Sequence, residues 1–283
     1  MSVTLAGIHG VGQQQLGRHQ LQSQWGPALL DGLERASGRL LDAAPDFRLA
    51  YYGDVFASFT PASGRKGNPA LDLDLTEEEL ADLMPAVREA VSDAELAAAE
   101  TAPVKGYTRA PRPLQVVLRA LDRRYGQHAG GLYLGNLRQV RRYLQDAELK
   151  AAVDARVREI MGHGKVRALI GHSLGSVVGF EYLRQNPETE LRAFLTLGSP
   201  LGLRMVRHLM PDPHHRPGNA AVWANLRDPR DPVASAGDLS AFWPGVRDLP
   251  PVDNGGDAHS AVRYLSKREA GQVLIESLET VGP

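Results

Sequence analysis

Ser173 stands at the centre of Gly171-His172-Ser173-Leu174-Gly175, with the apolar residues Val166, Ala168, Leu169 and Ile170 before it and helix-compatible residues over 176–183 after it. Strand, tight turn and helix follow one another without a linker. A G-x-S-x-G turn holds its serine on a strained backbone, and glycines flank it because side chains there would collide with the adjoining strand and helix. The hydroxyl is thereby pushed out at the end of the sheet, where it can act as a nucleophile. The pentapeptide carries little by itself, so the rest of the chain has to supply a base, a carboxylate and an oxyanion hole.

A neutral hydroxyl loses its proton during attack, and a nearby imidazole must accept it. Nine histidines compete for that role. His259 follows the last expected strand, after Asp253-Asn254-Gly255-Gly256-Asp257-Ala258, and is the preferred base. His172 is expected to point away from the hydroxyl, while His9 follows the first strand and is placed to contact the site. His214 and His215 lie in PDPHHRPG, which reads as a surface loop in preference to a weak metal site. The base in turn needs a carboxylate to fix its tautomer. Residues 225–233 offer Asp228 and Asp231: Asp231, followed by Pro232, is preferred, and Asp228 is expected to shape the turn. Asp257 is a third candidate, two residues from His259 and so less naturally aimed at it. For the oxyanion, Leu174 at the start of the helix offers one backbone N–H. The turn His9-Gly10-Val11-Gly12 offers the second, from Val11 with Gly10 as neighbour.

These groups need a frame. Apolar runs at 3–8, 47–52, 166–170, 191–197 and 221–226 predict five strands, with a short sixth within 244–252. Helical patterns over 13–41, 136–161, 176–183 and 260–280 alternate with them, which predicts a mostly parallel, doubly wound α/β sheet covered on both faces. The 136–161 stretch is long enough for two helices or one bent helix. Between the second and third strands, 57–135 stops being strand-like. Loops are expected over 60–70 and 102–113, and Thr76-x-x-Glu79 and Ser92-x-x-Glu95 fit capping boxes of two short helices flanking a break at Pro85. Leu114, Val117, Leu118 and Leu121 form an apolar stripe among arginines. It reads as a lid packed on its own core, with an interfacial helix that docks on lipid as the competing reading. The chain is thus expected to be one domain over 1–283, with a helical cap inserted at 57–135.

Composition narrows the classes. A formal charge of -1 gives no general reason to expect nucleic acid as partner, and the absence of cysteine excludes disulfides, thiolate metal sites and a cysteine nucleophile. No cofactor or metal is implied. The opening MSVTLAGIHG lacks the basic and long apolar regions of a secretory signal, and no run of 18 apolar residues occurs, which predicts a cytoplasmic location.

The ordered set, an H-G turn, G-H-S-L-G, an aspartate and a late histidine, resembles the α/β-hydrolase superfamily, within it the bacterial lipase and esterase-like serine hydrolases. The likeness spans 3–259. It implies a trimmed core of about six strands and a catalytic triad of Ser173, Asp231 and His259 that cleaves a small-molecule or lipid carboxylic ester through an acyl-enzyme. Gly198-Ser199-Pro200 looks like the G-S-P turn of lipase-like relatives, among them enzymes that deacylate lipid-anchored inositol, which implies that Ser199 and Pro200 shape the acyl or leaving-group wall. The insertion departs from the pattern, since it precedes the nucleophile strand in place of the commoner late cap position. Amide, peptide or thioester cleavage and acyl transfer stay open, because a triad does not choose its leaving group, as does a noncatalytic binding protein on this fold.

Overall fold

A computed structural model describes residues 4–43, 45–58, 75–101, 107, 110–162 and 165–279. Six strands form one sheet: β1 (Leu5–Ile8), β2 (Phe47–Ala50), β3 (Ala168–His172), β4 (Leu191–Leu197), β5 (Ala220–Leu226) and β6 (Val246–Asp248). Their order is β2-β1-β3-β4-β5-β6, and every neighbouring pair is parallel. The sheet is therefore wholly, not mostly, parallel. The central strands β1, β3 and β4 are apolar because both of their faces are buried, whereas the edge strand β6 is Val-Arg-Asp with Arg247 exposed.

The two faces are covered by different helices. Leu5, Ala168, Ile170, Ala193 and Leu195 point to one side, against α1 (Arg18–Ser37), α10 (Ala261–Leu265) and α11 (Arg268–Leu278). Ala6, Ile8, Leu169 and Phe194 point to the other, where α7 (Ala147–Met161) and α8 (Leu174–Gln185) pack. The same apolar cluster continues without interruption into the inserted helices, through Leu83, Ala86 and Val87 of α3 (Glu77–Glu89) and the stripe residues of α5 (Arg112–Tyr125). It also takes in Tyr133, Leu134 and Leu137 of α6 (Ala129–Gln145). Leu114, Leu118 and Leu121 are fully buried, so the stripe faces the protein's own core and not a surface available to lipid. Helix α6 crosses the expected cap boundary at residue 135, and the inserted helices share one core with the sheet. The remaining helices are α2 (Gly53–Ser58), α4 (Asp93–Glu100) and α9 (Arg204–Leu209).

Several local expectations need correction. Pro85 does not divide two helices; it lies inside α3, on the exposed side, and the chain breaks instead at 90–92 before the Ser92 cap. The carbonyl that loses its partner to the proline ring belongs to Ala81, which is also exposed, so water can satisfy it. Both capping boxes form. The 136–161 stretch resolves into two helices at Asp146, and the last helical stretch divides at Ser266–Lys267. The loop expected over 60–70 and most of that over 102–113 lie outside the described residues.

The strand order fixes where a ligand can sit. The chain begins inside the sheet at β1, adds β2 on one side and returns to the other side with β3, so the winding reverses between β1 and β3. Loops leaving the carboxyl ends of these two strands run in opposite directions and open a crevice between them. Those loops are the His9–Gly12 turn and the Ser173 turn.

Candidate active site

Ser173 follows β3 directly and has φ 53° and ψ -127°, a left-handed backbone that L-residues seldom adopt. The strain persists because the neighbours leave no alternative. A side chain at 171 would lie 2.6 Å from the Ser176 Cα, and one at 175 would run into the Ile8 carbonyl, so glycine is required at both. The Ser173 amide donates to the Leu197 carbonyl across the sheet (3.0 Å), and Ser176 Oγ donates to the Ser173 carbonyl (2.6 Å). The nucleophile candidate is therefore held from both sides, while its own Oγ is buried without a hydrogen-bond partner among the described residues.

Asp231 and His259 meet as the sequence predicts. His259 Nδ1–H donates to Asp231 Oδ2 at 2.7 Å. A carboxylate only accepts, so the proton sits on Nδ1 and the lone pair on Nε2. Nε2 is also buried and unpartnered. The two atoms that a proton transfer from serine to histidine joins are thus among the few buried polar atoms the fold leaves free. Asp231, fully buried, is held further by the Val233 amide (2.9 Å) and by the Tyr264 hydroxyl (2.9 Å). Tyr264 accepts in turn from the Asp228 amide (2.8 Å). Burial first, and then the Asp231 charge, push the Tyr264 phenol far above its usual range, so it stays a donor. Gly198, at φ 52°, lies beside this pair: a side chain there would come 2.5 Å from Asp231 Oδ2 and 3.2 Å from His259 Nδ1. Asp228 shapes the turn as expected, accepting from the Arg230 (2.8 Å) and Asn254 (2.6 Å) amides and so tying β5's exit to the loop that carries His259. Asp257 makes no pair with His259; it lies on the cleft lining.

The remaining candidates divide. The Gly10 backbone abuts the nucleophile, since a side chain there would be 2.8 Å from Ser173 Cβ. That brings the Val11 amide's turn against the serine. Leu174 is the first residue of α8, where an amide has no acceptor within its own helix and the helix dipole favours negative charge. His9 lines the cleft, but both ring nitrogens are engaged: Nδ1–H donates to the Gly10 carbonyl (2.6 Å) and Nε2 accepts from the Tyr52 amide (3.1 Å). Its ring stacks on Tyr52 at 3.9 Å, and burial lowers its pKa to about 4, so it is a neutral brace for the turn. Ser199 and Pro200 are buried and do not line the cleft, contrary to the wall role that the resemblance implies. Ser176 gives its hydroxyl proton to the Ser173 carbonyl, so Ser199 donates to Ser176 Oγ (2.7 Å), and Ser199 accepts from the Leu201 amide (3.2 Å). The G-S-P turn braces the nucleophile's backbone. His215 pairs with Asp212 on the surface, and among the described residues no group of three or more acidic, histidine or cysteine side chains could hold a metal.

His172 was expected only to point away from the hydroxyl. It does more: Nε2–H donates to the carbonyl of His259 (2.8 Å), and the two rings pack with centroids 4.6 Å apart. Burial first, and then the proximity of His259, hold its pKa well below the usual value, so it stays neutral. His172, Tyr264 and Ser176 are the functional neighbours that sequence reasoning missed. Each acts through a bond to a distant segment or to backbone, which no local motif announces.

Above these groups opens a cleft of about 1000 Å³, lined by the His9–Gly12 turn, His172, residues 256–262 around His259, and α6. Ser173, about 1% exposed, is not itself on the lining; it sits against Gly10, which is. The chain matches no family model, no curated protein and no solved structure. No helix among the described residues is long and apolar enough to cross a membrane.

Proposed function

We propose that the protein is a serine hydrolase of α/β-hydrolase type that cleaves a carboxylic ester. One observation carries this reading: a strained, unpartnered Ser173 Oγ shares a site with a His259 whose Nδ1–H is held by buried Asp231 and whose Nε2 is free. In the reaction Ser173 Oγ attacks the ester carbonyl while its proton passes to Nε2. Asp231 stabilises the resulting imidazolium. The amides of Val11 and Leu174 receive the oxyanion, a contribution of about 3 to 4 kcal/mol per donor in known sites. Collapse releases the alcohol, which takes the proton from Nε2, and water activated by His259 then hydrolyses the acyl-enzyme. Thioester, amide or peptide substrates and acyl transfer use the same steps and differ in leaving group or acceptor.

A fluorophosphonate reporter tests the nucleophile on intact protein. Wild type is expected to be labelled at Ser173, and Ser173→Ala to take up no label. Equal labelling of both, or none of the wild type, overturns the reading and favours a noncatalytic binding protein.

A further inference from the structure

The lining of the cleft departs sharply from the composition of the chain. Six of the twelve glutamines, Gln13, Gln14, Gln15, Gln24, Gln127 and Gln139, line it, and Asn136 joins them. Among the described residues, Arg230 and Asp257 are the only Lys, Arg, Asp or Glu side chains that do. Arg230 is already committed, since it pairs with Asp253 and lies 3.7 Å from Asp228 Oδ1. A carboxamide offers a donor and an acceptor in one plane and no charge, so a set of them suits a neutral ligand whose groups both give and take hydrogen bonds. Gln15, Gln24, Gln127 and Asn136 make no side-chain hydrogen bond to another described residue and are available for that purpose. Gln13 is used inward, its Nε2 donating to the Val11 carbonyl (3.1 Å), which links the amide lining to the oxyanion turn.

Apolar surface is interleaved with these amides. Trp25 and Tyr133 border the lining but are each only about 1% exposed, so the accessible apolar surface comes from Leu132 and Val262, two of the three large apolar residues exposed among the described residues. Neutral amides interspersed with aliphatic side chains complement a ring that carries hydroxyls at its edge and C–H groups on its faces. A long aliphatic chain would instead bury the carboxamides against hydrocarbon without partners. An extended peptide would favour an open strand edge, and the cleft lies over β1 and β3, inside a sheet whose edges are β2 and β6. Among the described residues, an anionic head group would meet a single Arg or Lys side chain, Arg230, already paired.

Residues 256–262 bring the lining up to His259, and the general acid must stand beside the oxygen of the group that leaves. We infer that the cleft holds the alcohol half of the ester, and that this alcohol is a neutral, multiply hydroxylated group of the carbohydrate class. The inference rests on the serine-hydrolase reading for which half of the ester it assigns, while the preference of the cleft itself is measurable without turnover.

Binding to Ser173→Ala, followed by calorimetry or ligand-observed NMR, compares an acetylated methyl glucoside with hexyl acetate, which share the acyl group and differ in the alcohol. The glucoside ester is expected to bind at least tenfold more tightly, and Gln24→Leu with Gln127→Leu in the same background to shrink that preference about tenfold. Equal or tighter binding of hexyl acetate, or a preference that the double substitution leaves intact, overturns the inference. In the wild type the ratio of kcat/KM for the two esters should follow the same order. If fluorophosphonate labelling fails while Ser173→Ala still prefers the glucoside ester, the nucleophile assignment falls and the carbohydrate cleft stands. If labelling succeeds and the preference is absent, the reverse holds.

Discussion

At the scale of single residues, the site is built from groups whose second bonds matter as much as their first. Asp231 Oδ2 serves His259 and Tyr264 together, and His172 next to the nucleophile holds the backbone of the base. His172 and His9 are both kept neutral by burial, and this has a pH consequence. The pKa of His9 falls from 6.5 unfolded to about 4 in the native protein, so the unfolded chain binds the extra proton between those values. Its contribution to stability is complete above pH 6.5 and is lost as pH falls toward 4, at about 1.4 kcal/mol per pH unit. His9→Asn retains a donor for the Gly10 carbonyl and cannot titrate. Urea titrations across this range should show the variant's stability falling less steeply by that amount; parallel curves for the two proteins would refute the account. Ser173, Asp231 and His259 were legible because a motif, a turn and a chain order point to them. Tyr264 and His172 were not, because their bonds span 33 and 87 residues of sequence.

At the scale of elements, periodicity located the six strands and most helices; it missed the six-residue α2 and α9, too short to show a period, and other errors gathered where a breaker or a cap decides. Pro85 reads as a break, yet its ring and the carbonyl it orphans both face water, so α3 tolerates it. Asp146 gave no such warning, although it ends α6 and begins α7, its Oδ1 accepting from the Leu149 amide at 3.0 Å. That bond satisfies one of the amides a helix start leaves open, and losing it costs about 1 kcal/mol. Asp146→Ala should lower the free energy of unfolding by that amount, while Asp146→Asn or Asp146→Ser should recover most of it. If alanine and serine behave alike, α7 does not depend on the cap. The turn at Asp146 is a stability device remote from the chemistry, so kcat is expected to hold in all three variants.

For the whole molecule, the inserted helices and the sheet share one continuous apolar cluster, in which Leu118 is as buried as Leu169 of β3 and Phe180 of α8. A cap that docked loosely would melt on its own. Here unfolding followed by far-ultraviolet and near-ultraviolet signals should give one coincident transition, and Leu118→Asp, which buries a carboxyl among leucines, should destabilise the entire chain by about 4 kcal/mol or more. A separate early transition confined to helical signal would contradict this. The sequence pattern announced helices inserted between the second and third strands but neither a boundary that α6 respects nor their fusion with the core, because burial of a helix stripe looks the same whether it meets a lid's own interior or the sheet. The excursion from β2 to β3 leaves the sheet at an edge and re-enters it in the middle, beside β1. Its length is therefore uncoupled from strand register, and the turns of the candidate site that follow β1, β3, β4 and β5 are aligned by pairings the excursion does not make. On the proposed hydrolase reading, one contiguous stretch of chain is replaceable as a cassette, changing which molecules are admitted while Ser173, Asp231 and His259 keep their mutual placement.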